Sequence, residues 1–490
     1  MTNALVKNLS WTFFSRIGTQ LAQILFTVFL ARMLTPAEYG IIGMLAVFSG
    51  FALLIGEAGL TSALIYFDKL ENSHWSTAFW IQIFINAAFT ITFFFGAPLI
   101  AHFFENPVIE PVTKIMSLTF ILQTVGQIQN TILVKRMDFK SIAIANFVAC
   151  VVSNLCAVAL AVNHFGVYSL VWQSLVNGIV LSIYFAIVTR WFPNFVFSMR
   201  EARHLMSYGN YLAGNNVVNY WLRNGDNLVI GKFLGAAELG IYNRAYTLML
   251  LPLQNISSTI GQVMFPTLVQ LKDDIVAFRE LYCKSIKYIA LIGFPIMGGL
   301  CILSKPILLL LYGQQWVASA PLLQILSLVG LMQCVIFPVG WIYNGVGKPK
   351  DQFRITLYLT PLFFILILGG IYWGIIGVTI GYAIWATVSA VWNILAAGKL
   401  IDLTIDKYLG LIVKKAMSTL VMMFVVGLLV AFMIDHLVLP VVVFLSVAVG
   451  AITYALSCLI LKDQEFGTGL SVARDRIWAM FRSSTENDTV

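Results

Sequence analysis

The sequence predicts an all-α integral membrane protein of about fourteen transmembrane helices, arranged as two parallel six-helix lobes followed by two further helices. Three observations carry the prediction: a composition unable to clothe a soluble core, fourteen apolar stretches of bilayer-spanning length, and an internal repeat. Of 490 residues, 59% are hydrophobic and 11% charged, with a mean hydropathy of +0.87. Soluble domains carry about 25% charged residues. So few charges cannot cover a fold of this size, and the bilayer takes the place of water as solvent.

Stretches of about 20 apolar residues each fit one bilayer crossing. They fall near 10–31, 40–64, 76–101, 112–134, 141–162, 167–189, 208–232, 240–265, 286–311, 318–343, 354–372, 374–397, 412–433 and 438–461. The first run, from Trp11, contains Arg16 and Gln20 and lacks a small-residue cleavage site, so it reads as a retained helix rather than a signal peptide. Cys150, Cys156, Cys283, Cys301, Cys334 and Cys458 form no CxxC pair and read as small hydrophobes packed in helices.

An even number of crossings puts both ends on one side, and loop charge says which. Arg16, Arg32, Lys114, Arg223, Lys232, Arg244 and Lys305 lie elsewhere, but the other 23 of the 30 Lys and Arg lie on the side of the N-terminus. Positive loops stay in the cytoplasm, so both termini are expected there. The net charge of +8 is thus a topology signal, not a nucleic-acid surface. Opposite loops such as Asn163–His164 and Asp435–His436 are short, and only the tail of about 28 residues is longer outside the membrane. That leaves no room for a soluble catalytic domain and argues against a glycan polymerase or ligase built on a large external loop.

Residues 31–48 align without gaps on 231–248. Leu34/Leu234, Ala37/Ala237, Glu38/Glu238, Gly40/Gly240 and Ile41/Ile241 are identical, and Arg32 matches Lys232. Each copy is the external turn between the first two helices of a six-helix block, so the repeat is parallel, about the membrane normal. A fainter echo matches Phe165-Gly166-Val167 with Trp373-Gly374-Ile375. The chain divides accordingly into lobes at 1–200 and 201–400, two extra helices within 401–461, and a cytoplasmic tail at 462–490. Within that tail, Arg474–Arg482 with Trp478 and Phe481 reads equally as a surface-lying or a disordered segment.

Polar residues inside the spans form stripes. The seventh span carries Asn215, Asn219, Arg223 and Asp226 at spacings of four, four and three, one helix face. The first carries Arg16, Gln20, Gln23 and Thr27; the fourth, Gln123, Gln127 and Asn130; the eighth, Arg244, Thr247, Gln254, Ser258 and Gln262. One reading is interhelical hydrogen bonding. The other is a hydrophilic cavity whose guanidinium groups suit bidentate contact with phosphate. Opposite charges at matched depths predict two pairs, Arg16 with Glu57 and Asp226 with Arg244, each within one lobe. No acidic cluster suggests a metal site, no GxxxxGK[ST] loop suggests ATP hydrolysis, and no cofactor is expected.

Several of these residues resemble the Wzx-type polysaccharide flippases of the multidrug/oligosaccharidyl-lipid/polysaccharide exporter superfamily. The resemblance rests on Asp226–Gly235 with Leu239–Tyr246, on Glu57-Ala58-Gly59-Leu60 with Ala63–Ile65, and on Tyr312–Trp316 with Leu322–Leu326. It covers nearly the whole chain and is closest in appearance to the colanic-acid exporter type. Family members often carry aspartate where this chain has Glu57, which keeps the charge and changes its reach. The resemblance implies movement of undecaprenyl-diphosphate-linked oligosaccharide from the cytoplasmic to the periplasmic leaflet of a bacterial inner membrane, by alternating access of the lobes. It also implies a polymerase and chain-length machinery as partners. A drug or metabolite antiporter of the same superfamily, which would favour acidic cavity groups over arginines, is the competing reading.

Overall fold

The computed structural model describes residues 2–57, 59–67, 70–433 and 436–468; the side chains of 2–17, 204 and 207–219 lie outside that description. Among the described residues every regular element is helical. In order these are α1 (Thr2–Met33), α2 (Pro36–Glu57), α3 (Leu60–Tyr66), α4 (Asn72–Phe103), α5 (Ile109–Met116), α6 (Leu118–Lys135), α7 (Phe139–Val162), α8 (Val167–Thr189) and α9 (Met199–Phe233). There follow α10 (Ala236–Gln270), α11 (Ile275–Ile302), α12 (Ser304–Leu311), α13 (Ala320–Ile336), α14 (Val339–Gly345), α15 (Pro349–Gly370), α16 (Gly374–Gly398), α17 (Ile405–Met433) and α18 (Leu439–Ile460), with short 3-10 turns at Gln314–Ser319 and Ile371–Trp373.

Each anticipated apolar stretch falls on one helix or on two consecutive ones. The second, fourth, ninth and tenth are interrupted, giving α2/α3, α5/α6, α11/α12 and α13/α14. Local chemistry accounts for two of these breaks. Ser117 turns its hydroxyl back onto the Lys114 carbonyl at 2.7 Å, and Pro338, without an N–H, precedes α14. Among the described residues, nine helical segments are long and apolar enough to cross a membrane. Helices α6 and α10 fall outside that set because amides and hydroxyls interrupt their apolar runs. The chain is an all-α, multi-pass membrane protein, and its outer faces carry exposed Phe84, Phe95 and Phe424, as lipid-facing helices do.

Two compact units divide at residue 243. In Met1–Asn243, α7 packs against α1 and α8, α6 against α4 and α8, and α9 against α2, α3 and α4. In Arg244–Val490, α11 packs against α13 and α17, α16 against α13 and α15, and α17 against α18.

The repeat has a direct structural expression inside the first unit. A Cβ added to Gly40 would lie 1.6 Å from the Ala236 carbonyl oxygen, and one added to Gly240 would lie 1.9 Å from that of Pro36. Positions 36 and 236, like 40 and 240, align in the repeat. The first turns of α2 and α10 therefore meet reciprocally, as across a two-fold axis, and only glycine lets the backbones approach this closely. The fainter echo is expressed too. Gly166, opening α8, has φ 57° and ψ −131°, and Gly374, opening α16, has φ 66° and ψ −155°. That region of backbone space is essentially confined to glycine, so the two turns are made alike.

At the end of the second unit, the chain after α18 folds back onto α11 and α17. Buried Lys415 places its ammonium 2.7 Å from Asp463 Oδ2 and 2.9 Å from Glu465 Oε2, and Lys287 reaches Glu465 Oε1 at 2.6 Å. Burial would raise the Glu465 carboxyl, but hydrogen bonds from Lys287 and Lys415 hold it down at about 2. All six cysteines are free thiols.

Candidate functional site

The first unit contains a cavity of about 550 Å3 between α2, α6, α8 and α9. Its shape follows from helix periodicity. Gln123, Gln127 and Asn130 stand at i, i+4 and i+7 on α6, so they share one stripe along the wall. The adjoining wall is α8, held close to α6 where Ser182 Oγ donates to the Leu122 carbonyl at 2.8 Å. From α8 come Asn177, Leu181 and Phe185; from α2 come Leu53, Leu54 and Glu57.

Tyr220 of α9 completes the lining. Its hydroxyl donates to the carbonyls of Ala46 and Val47 on α2, at 2.9 and 2.6 Å, which fixes the ring at the cavity wall. The Asn130 Oδ1 is buried and has no hydrogen-bond partner among the described residues. Glu57 makes no ion pair among the described residues. The Arg16 side chain, anticipated as its partner, lies outside them. The lining thus offers amide donors and acceptors, one phenol and one carboxylate beside leucine and phenylalanine. Such a surface can hydrogen-bond hydroxyl groups without demanding a charge.

Four anticipated residues therefore come together: Glu57, Gln123, Gln127 and Asn130. Asn177 and Tyr220 join them although the sequence reading missed both. Asn177 is a single amide in an apolar run, and Tyr220 lies one residue after Asn219 in the striped seventh span, a signal that could have found it. Asn215 and Asn219 are on α9, with side chains outside the described residues. Gln20 is half-buried and Gln23 exposed on α1, and neither lines the cavity. Arg223 is exposed on α9, one turn beyond Tyr220.

The anticipated pair of Asp226 and Arg244 divides between the two units. Within the first, Asp226 is buried and accepts hydrogen bonds from the Tyr242 hydroxyl at 2.9 Å and the Asn227 N–H at 2.8 Å. Within the second, the Arg244 guanidinium lies over the rings of Tyr312 and Trp316, 5.6 and 5.4 Å from their centroids. Trp316 is fully buried, so the Tyr312–Trp316 turn serves as a platform that aims this arginine. Among the described residues no cluster of three or more His, Cys, Asp or Glu could hold a metal ion.

Comparison with known proteins matches residues 29–321 to the family described as "Polysaccharide biosynthesis protein". The lipopolysaccharide biosynthesis protein WzxC of Escherichia coli (strain K12) is 26% identical over 358 residues, 72% of each chain. The teichuronic acid biosynthesis protein TuaB of Bacillus subtilis (strain 168) is 26% identical over 72% of this chain and 74% of its own. The succinoglycan biosynthesis transport protein ExoT of Rhizobium meliloti (strain 1021) is 30% identical over 66% of this chain and 65% of its own. Among solved structures, the lipid II flippase MurJ in an inward closed conformation superposes with a TM-score of 0.75 at 17% identity, over 94% of this chain and 99% of that one. An inward-facing multidrug resistance MATE family transporter gives 0.61 at 13% identity, over 78% and 94%. At these identities the two structures show a shared fold.

Proposed function

The chain belongs to the polysaccharide biosynthesis protein family, and on that premise we propose that it is a flippase for a lipid-linked oligosaccharide. The cargo is an oligosaccharide on undecaprenyl diphosphate, carried from the cytoplasmic to the periplasmic leaflet of a bacterial inner membrane for surface polysaccharide biosynthesis. The observation that carries this reading is the cavity lining, in which Gln123, Gln127, Asn130 and Asn177 face one space with Leu53, Leu54 and Phe185. Amides match sugar hydroxyls in both directions of hydrogen bonding. The polyprenyl tail stays in the bilayer, where it costs nothing to leave it, while the polar head passes through the protein. Arg223, exposed on α9 one turn beyond Tyr220, takes the diphosphate charge.

The two lobes, 1–200 and 201–400, open the passage to each side in turn, both termini stay in the cytoplasm, and a polymerase with its chain-length machinery receives the product. The relatives named for lipopolysaccharide, teichuronic acid and succinoglycan synthesis support a glycan cargo. The test is a deletion strain of the source organism, analysed for lipid-linked glycan by membrane face. Undecaprenyl-diphosphate oligosaccharide should accumulate on the cytoplasmic face. Restoring the wild-type chain should clear it, and a chain carrying Gln123→Leu, Gln127→Leu and Asn130→Leu should be made and inserted but clear it poorly. A deletion strain with no such lipid, or full clearance by the triple variant, would overturn the reading.

A further inference from the structure

A second cavity, of about 530 Å3, lies in the other unit, where α11, α17 and residues 464–468 meet. Its lining is dominated by cations: Arg279, Lys284 and Lys287 from α11 and Lys407 from α17, against Glu280 and Glu465. Glu465 is already committed to Lys287 and Lys415. Among the described residues Arg279 donates to the backbone carbonyls of Ile401 and Asp402, at 3.4 and 3.3 Å, and makes no ion pair, so its charge is not neutralised there. Lys284 and Lys407 are exposed and make no ion pair among the described residues. The pocket therefore holds an excess of positive charge.

Its flank is apolar. Tyr288, Leu403 and Leu411 line it, and above Lys284 the same α11 face runs through Tyr288 to Ile292 and Ile296, both exposed. Helix α11 is one of the segments apolar enough to span a membrane, so those isoleucines face lipid. A cationic cup at the end of a span, continuous with a lipid-facing apolar face, suits an amphiphile with an anionic phosphate head and acyl chains. A free phosphate would use the cup and leave the flank without purpose.

We propose that this pocket binds the head group of an anionic phospholipid, with its acyl chains along α11. Basic pockets between spans recognise such head groups, and each cation near them contributes on an additive scale. The test uses the full chain in mild detergent, with phosphatidylglycerol or phosphatidylethanolamine added and bound lipid counted by native mass spectrometry. The wild type should retain phosphatidylglycerol over phosphatidylethanolamine. The exposed-site variant Lys284→Gln/Lys407→Gln should weaken that retention on the order of tenfold, and Lys348→Gln/Lys350→Gln, with the same loss of charge elsewhere, should not. A further variant, Ile292→Asn, should weaken phosphatidylglycerol and leave the charge of the pocket intact. Equal retention by the Lys284/Lys407 and Lys348/Lys350 variants would overturn the site. Displacement of the lipid by excess inorganic phosphate, with no effect of Ile292→Asn, would overturn the lipid as its ligand in favour of a free anion.

Discussion

A buried carboxylate inside a membrane protein depends on each hydrogen bond it accepts, and Asp226 accepts one from the Tyr242 hydroxyl. Tyr242 is itself fully buried, so no water replaces the hydroxyl once it is gone. Hydrogen bonds to charged groups contribute about 1.5–3 kcal/mol. Tyr242→Phe should therefore lower the melting temperature in detergent by several degrees, whereas Tyr358→Phe, at an exposed phenol, should leave it unchanged. Equal melting of the two variants would show that Asp226 is satisfied without Tyr242. The same scale shows what could be read in advance. Gln123, Gln127 and Asn130 were legible as one wall because helical spacing alone decides which side chains share a face. Asn177 and Tyr220 were not, because what makes them part of the cavity is the approach of α8 and α9, which no local pattern encodes. The role of Trp316 was hidden for a related reason: its partner, Arg244, is 72 residues earlier.

At the scale of elements, the chain after α18 is tied to α11 and α17 by Lys415, Asp463, Glu465 and Lys287. Breaking a buried ion pair from one side leaves the other charge uncompensated, at a cost of about 3–5 kcal/mol. Lys415→Met should accordingly raise hydrogen exchange in 461–468 and lower thermal stability, more than Lys414→Met, whose exposed ammonium reaches the Lys462 carbonyl at 3.2 Å. The pH dependence follows from Glu465. Its folded carboxyl sits at about 2, below the ordinary 4.5, so its contribution is fully present above about 4.5 and is lost as pH falls toward 2. The stability difference between wild type and Glu465→Gln should hold steady from about pH 8 down to about pH 5. A difference that vanished by pH 5 would place the carboxyl outside the ion network. Helix interruptions were the part of the elements that escaped the sequence. Hydropathy averaged over a span reports that lipid surrounds it, and a single turned hydroxyl such as that of Ser117 does not change the average.

For the whole molecule, the distribution of Lys and Arg predicts that reporter fusions at Asn163 and after Val490 report opposite compartments, with the C-terminal fusion cytoplasmic. A periplasmic C-terminus would reverse the direction proposed for transport. Architecture was legible at this scale because the bilayer restricts the menu to helices of known length, and because the repeat survives in the residues that backbone geometry cannot exchange. Gly40, Gly240, Gly166 and Gly374 persist where a Cβ would collide or φ is positive. The meeting of α2 with α10 has a mechanical consequence. Side chains that interlock act as teeth, resisting rotation of one helix on another, but here bare glycine backbone faces carbonyl oxygen on both sides. Such a surface leaves no room for thickening, since a Cβ at either position would enter the carbonyl oxygen opposite. A methyl group at position 40 or 240 would be grit in that contact, wedging apart two helix starts whose oxygen atoms have nowhere to swing.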